Sequence, residues 1–144
     1  MKNRRYLLIG LAGIIIFFSI KMYNDYKEKG LNDLIGSDLS EFDYLVFNEG
    51  VEQYQARTDQ ADHAKKLNDF FSQYRVKRMK DDEWNPDVSN ERGFNLTIYE
   101  NGKPIIAHIY ENRLLFLNDG NYYTVVNGPI DMDWIKRYTN QFRQ

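Results

Sequence analysis

Apolar positions follow three different patterns along this chain. Residues 7–20 (LLIGLAGIIIFFSI) form an unbroken apolar run between the basic MKNRRY start and Lys21. Over residues 59–74 the spacing becomes helical. Ala64, Leu67, Phe71 and Tyr74 fall on one stripe, widened by Phe70, while Asp62, Lys65, Lys66 and Asp69 lie opposite. The pattern predicts a helix there with Asp59 as N-cap. From residue 94 onward, apolar and polar positions alternate in short segments broken by Asn101-Gly102, by residues 111–113 and by Asp119-Gly120, which is the signature of successive hairpins. A second helical stripe closes the chain. Asp131 is its predicted N-cap, Ile130 can staple onto Ile135, and Trp134, Tyr138 and Phe142 extend the same face.

The hairpin signals predict a register. A two-residue turn at Asn101-Gly102 pairs Ile98 with Ile105, Leu96 with Ala107 and Phe94 with Ile109, all apolar and all on one side. The same turn type at Asp119-Gly120 pairs Phe116 with Tyr123 and Leu114 with Val125. A tight turn between these hairpins puts Ile109 on the side of Leu114 and Phe116. The expected result is a four-stranded meander whose inner face is covered by the helix over 59–74. Earlier in the chain, EFDYLVFNEG reads as a strand closed by a turn at residues 48–50, with VEQYQAR as its hairpin partner. RVKRMK (75–80) reads as an edge strand protected by Lys and Arg in preference to a contact for anionic lipid or wall polymer, and DDEWNPDVSNERG as one long loop.

The same register places Tyr99, Ile106, His108, Tyr110, Leu115, Leu117, Tyr122 and Val126 together on the outer face, among Asn95, Thr97 and Thr124. An antiparallel sheet facing water carries polar residues on that side. Here it is half apolar. Either the C-terminal helix or the early strands cover it, or these eight residues form a docking surface for a partner.

The N-terminal run sets a second expectation. Residues 6–23 would make roughly 27 Å of helix at about 1.5 Å per residue, close to the ~30 Å hydrocarbon core. Tyr23 and Tyr26 suit an interfacial belt, with Lys21 snorkelling. The residues after the run offer no small-x-small cleavage pattern, so an uncleaved anchor is favoured over a signal peptide. Lys2, Arg4 and Arg5 favour a cytoplasmic N-terminus, and Lys21, Lys27 and Lys29 weaken that preference. The polar segment 27–40, interrupted by Gly30 and Gly36, reads as a juxtamembrane stalk.

Charge and composition narrow the chemistry. Residues 1–30 carry six Lys/Arg against two acids, and residues 31–144 carry thirteen against nineteen. An acidic body lacks the basic footprint that nucleic-acid binding needs. Without cysteine there is no disulfide, thiolate metal site or thiol nucleophile. No Ser-His-Asp pattern, H-E-x-x-H, P-loop or Gly-rich fingerprint occurs. His63 is expected to be a solvated surface histidine and His108 a structural one. Glu100 and Glu111 end successive strands, and residues 81–83 are three consecutive acids. Solvated turn acids are the preferred reading for both groups. Asn95-Leu96-Thr97 matches a glycosylation sequon but falls inside a predicted strand.

The order of anchor, strand, helix and long polar loop, followed by LTIYENGKPIIAHIY and RLLFLNDGNYYTVV, resembles small N-terminally membrane-anchored extracytoplasmic domains of low-GC Gram-positive bacteria. The Lys-, Asn-, Tyr- and Ile-rich composition is similar too. The resemblance covers roughly residues 42 onward. It implies a compartment and a fold, and brings no activity and no site residues.

The expected architecture is therefore α+β. A cytoplasmic N-terminus and single-pass signal-anchor helix (1–26) and a stalk (27–40) precede an extracytoplasmic domain (41–144) with a curved antiparallel sheet and two packing helices. The expected function is non-enzymatic: an interaction or regulatory module in the cell membrane that docks another envelope or membrane protein, or a second copy of itself, without cofactor, metal or nucleic acid. Two other classes compete. A small-ligand sensor or carrier would use the aromatic outer sheet face and be favoured by a closed apolar pocket over a flat patch, and a carboxylate-dependent wall hydrolase would need an acidic pair converging at about 5 to 9.5 Å.

Overall fold

The computed structural model describes residues 2–36, 40–48, 55–80 and 82–143. The chain opens with α1 (Lys2–Tyr26). Among the described residues this is the one helix long and apolar enough to cross a bilayer: within Tyr6–Tyr26 its apolar window has a mean hydropathy of 2.0 and contains no buried residue. After α1 come β1 (Lys29–Gly30), α2 (Leu31–Ile35), β2 (Phe42–Asn48), β3 (Gln55–Thr58), α3 (Ala61–Phe71) and β4 (Arg75–Arg78). The rest consists of β5 (Gly93–Glu100), β6 (Lys103–Tyr110), β7 (Arg113–Phe116), β8 (Asn121–Val125) and α4 (Met132–Thr139). The fold is α+β. Its strands form one open antiparallel sheet in the order β1-β4-β8-β7-β6-β5-β2-β3.

The alternation within each strand decides which side of the sheet becomes core. Leu45 and Phe47, Phe94, Leu96 and Ile98, Ala107 and Ile109, Leu114 and Phe116, Tyr123 and Val76 are all buried. They join Leu31 and Ile35 of α2, Leu67, Phe70 and Phe71 of α3, and Ile135 and Tyr138 of α4 in one cluster. All three of these helices therefore pack on the same face. Trp134 of α4 lies flat against Phe70 of α3 (ring centroids 3.8 Å apart), and Tyr138 meets Phe47 edge-on. Asp131 caps α4 by accepting the Trp134 amide at 2.9 Å.

Several local expectations need correction. The Asn101-Gly102 hairpin has the predicted register, with both turn residues at positive φ as a type I′ turn demands. The next hairpin is shifted by two residues: Phe116 pairs with Asn121 and Leu114 with Tyr123. A longer turn (117–120) is favoured because the Asn118 side chain accepts the Ile106 amide (2.7 Å) and donates to the Pro104 carbonyl (3.0 Å), extending β6 past the end of β7. A shift of two leaves every side chain on its predicted face. Helix α3 starts at Ala61 behind Gln60, not behind Asp59, and ends at Phe71. The Thr58 hydroxyl, at the end of β3, accepts the Gln60 amide at 3.2 Å. Residues 29–35, read from composition as stalk, are built into the domain. Gly30 and Lys29 pair with β4, and Leu31 (0% exposed) and Ile35 (4%) enter the core. Their apolar side chains are too few to show as a stripe in a segment this short. Strand β2 pairs with β3 as expected, with Leu45 opposite Thr58; the turn expected at residues 48–50 lies outside the described residues.

Candidate functional site: the outer sheet face

With every packing helix on the other side, the outer face is bounded by strands and one loop. Its residues form rows across the sheet. One row runs Asn48, Asn95, His108, Leu115, Tyr122 from β2 to β8, and the Met79 amide donates to the Tyr122 carbonyl at its end. A second runs Val46, Thr97, Ile106, with the Leu117 amide donating to the Ile106 carbonyl. A third holds Tyr44, Tyr99 and Pro104, and a fourth Gly93, Tyr110, Arg113, Thr124 and Lys77.

The register thus brings Tyr99, Ile106, His108, Tyr110, Leu115 and Tyr122 onto one surface, each half-buried by its neighbours. Leu117 and Val126 lie just beyond the ends of their strands and are the most exposed of the eight, at 44% and 40%. Tyr99 stacks on Tyr44 (4.4 Å), and the Arg57 guanidinium lies 3.9 Å from the Tyr44 ring centroid, extending the ladder to the sheet edge. Tyr110 lies across Gly93. A Cβ on that glycine would come within 2.6 Å of the ring and 2.8 Å of the Ile109 carbonyl oxygen.

Tyr122 is covered. The loop after β4 places Trp84 flat against it, with centroids 4.1 Å apart. Arg113 holds the loop there. Its guanidinium sits 4.5 Å from the Trp84 centroid and donates to the carbonyls of Asn85 (2.5 Å) and Asp87 (2.9 Å). It also forms a two-point ion pair with Glu91, whose Oε2 accepts from Nε at 3.1 Å. Only 11% of the Arg113 side chain is exposed. Within the loop Asp87 accepts from Ser89 through both backbone and hydroxyl, which holds its carboxyl below the usual carboxylate range. Among the described residues, the outer face therefore has a strapped half over β7 and β8 and a half over β2, β5 and β6 on which no loop lies.

Sequence reasoning missed this strap and the Arg57-Tyr44-Tyr99 ladder. Signals for both existed. Trp84 is a lone large aromatic in a polar loop and needs an apolar partner, and inward Leu45 and Phe47 force Tyr44 and Val46 outward.

The remaining titratable candidates resolve as structural groups. His63 is half-buried rather than solvated. Its Nδ1 lies 2.7 Å from the Thr58 hydroxyl, its ring stacks on Phe142 (4.9 Å), and its carbonyl accepts the Tyr138 hydroxyl (2.9 Å). Glu100 ends β5 opposite Lys103, whereas Glu111 follows Tyr110 at the far end of β6. Eight residues of strand put them roughly 25 Å apart at ~3.3 Å per residue, too far to share a glycosidic bond. Glu111 instead faces Arg92 (3.9 Å), which pairs with Asp133 of α4 (2.6 Å). That contact raises the Arg92 pKa and lowers that of Asp133. Asp81 lies outside the described residues, and Glu83 turns back to accept the Lys80 amide (2.9 Å). Among the described residues no three His, Asp or Glu side chains come together as a metal site.

Cavities add little room for a ligand. The void between α2, α3 and Ile98 measures about 10 Å³, room for one water at most. Two larger hollows, of about 260 and 240 Å³, are open grooves beside α4 that include Arg92 and Lys136 in one case and Lys66 and Arg137 in the other. Comparison of this chain with family models, with curated proteins and with solved structures gives no match.

Proposed function

We propose that this chain is a single-pass membrane protein that displays its α+β domain outside the cytoplasmic membrane and docks another envelope or membrane protein on the outer sheet face. The observation that carries the reading is the placement of all three packing helices on one side of the sheet, which among the described residues leaves Tyr44, Val46, Tyr99, Ile106 and Leu117 without a covering helix or loop. Soluble sheets pair a buried face with a polar one, and apolar and aromatic residues on the second face mark interaction surfaces. The uncovered half has the composition of such a surface: aromatics, an arginine and aliphatics over a rigid backbone. The sizes of the voids support surface contact over a carried ligand. α1 supports the anchor, and the basic residues Arg4 and Lys2 before its apolar run support a cytoplasmic N-terminus.

The test is site-specific photo-crosslinking in cells carrying the full-length chain. A photoreactive residue at Ile106 or Leu117 is expected to give a discrete intermolecular adduct, and one at Lys66, on the helix side, is not. Equal adducts from Lys66, or none from either outer position, would overturn the docking reading. The orientation has its own check, because the chain has no native cysteine. A cysteine at Lys66 should react with a membrane-impermeant thiol reagent in cells whose cytoplasmic membrane is sealed; reaction only after that membrane is opened would overturn the orientation.

A further inference from the structure

We infer that the β1/β4 end of the sheet is an electrostatic docking surface for anionic phospholipid, holding the domain against the bilayer that α1 enters. The inference rests on the reading of α1 as a membrane span. Strand β4 is tied to the end of that helix: Arg78 lies 4.0 Å from Asp25 and 5.4 Å from the Tyr26 ring centroid, and Arg75 donates to the Glu28 carbonyl at 3.3 Å. The pairing Lys29 with Val76 and Gly30 with Arg75 is antiparallel, so the stretch from Arg78 to Lys80 runs back alongside the last turn of α1. The part of the sheet nearest the membrane is therefore fixed by backbone pairing.

That part carries charge opposite to the body. RVKRMK contains four cations and no acid within a segment 31–144 whose acids outnumber its bases by nineteen to thirteen. Among the described residues the nearby acids are partly engaged: Asp25 faces Arg78, and Glu83 is turned onto the Lys80 amide, leaving Glu28 and Asp82; Asp81 follows Lys80 in the chain. Among the described residues no carboxylate lies within 4 Å of the ammonium groups of Lys21, Lys27, Lys77 or Lys80. Lys77 and Lys80 are exposed. The opposite edge, β3, stands seven strand spacings from β1, roughly 33 Å at ~4.8 Å each, well outside the ~8 Å screening length at physiological salt. Only the β1/β4 end can feel the headgroups. Each lysine near such a surface shifts the docked-to-undocked ratio about fivefold.

The experiment places the full chain in nanodiscs with zwitterionic lipid alone or with added phosphatidylglycerol, both containing a nickel-chelating headgroup lipid. Nitroxides are attached to single cysteines at Thr124 (opposite Lys77), Gln55 (on β3) and Tyr23 (near the end of α1). Nickel-induced relaxation at Thr124 is expected to rise several-fold with phosphatidylglycerol, to stay at the Gln55 level without it, and to fall back in K77E/K80E or at 1 M salt. Tyr23 should report lipid contact throughout. If Tyr23 contacts lipid but Thr124 ignores lipid charge, the docking surface is refuted while the anchor stands, and the cations of β4 are a solvated surface only. If Tyr23 never contacts lipid, the anchor reading itself fails and the inference with it.

Discussion

Arg113 is the residue on which the outer face depends most. Its chain position shows only a cation at the start of a strand, whereas the structure makes it a tie between β7 and the loop over Tyr122. Arg113→Ala removes a nearly buried cation and leaves the Glu91 carboxylate and two carbonyls without their donor. We expect a loss of about 1.5–3 kcal/mol, the range for hydrogen bonds to charged groups. Trp84 emission should shift to the red, and proteolysis within residues 82–91 should rise before global unfolding. Two tyrosines set the response to alkali. Burial raises the Tyr123 pKa well above its ordinary value of 10.0, helped by its hydrogen bond to Asp119 (2.5 Å). Burial alone raises that of Tyr138. Raised pKa values of this sense stabilise the fold fully below the unfolded value, near pH 10, and the contribution is lost as pH climbs above it toward the folded value. The urea midpoint should therefore be flat to about pH 9 and fall by pH 11, less steeply in Tyr123→Phe. His63 shows the limit of sequence reading at this scale. Charged neighbours in the chain suggested solvent, but Thr58 of β3, Tyr138 of α4 and Phe142 beyond α4 reach it.

The strands were more legible than the helices' surroundings, for a physical reason. A side-chain period of two and a turn that demands positive φ are local properties, so the β5–β6 register follows from Asn101-Gly102 and the apolar alternation. The β7–β8 register was displaced because the Asn118 side chain satisfies β6 backbone groups twelve and fourteen residues earlier, a contact that local turn preference does not contain. Gly93 is a similar case. Its role is to admit the Tyr110 ring from the neighbouring strand, so Gly93→Ala should cost about 1–3 kcal/mol through overpacking. Pairing it with Tyr110→Ala should recover part of that loss, read as non-additivity in a double-mutant denaturation cycle.

At the scale of the whole molecule, the boundary between helix and domain lies earlier than composition suggests. The apolar window of the Tyr6–Tyr26 segment contains no buried residue, whereas Leu31 and Ile35 sit in the core. A chain beginning at Asn24 should be soluble and unfold cooperatively. One beginning at Ser40 loses both core residues and strand β1. Each buried Leu or Ile is worth about 2–5 kcal/mol on truncation, against a total of about 5–15 kcal/mol for a domain. The shorter chain should show reduced or absent cooperativity in circular-dichroism denaturation. Either result bears on where the domain starts without touching the question of its partner.

The chain alone determined an apolar N-terminal helix, an antiparallel sheet with a known inner face and two capped or striped helices, because hydrophobic periodicity and turn chemistry are written in neighbouring residues. It also singled out six residues that do share the outer face. What it left open was whether α4 covers that face, and only tertiary packing could decide. The apolar stripes of α3 and α4 satisfy each other through Phe70 and Trp134 on the inner side, and a long polar loop, clamped by one arginine, lies over half of the other. Contacts between residues distant in the chain leave no periodic trace, so the exposed half of the sheet becomes visible only once the chain is folded.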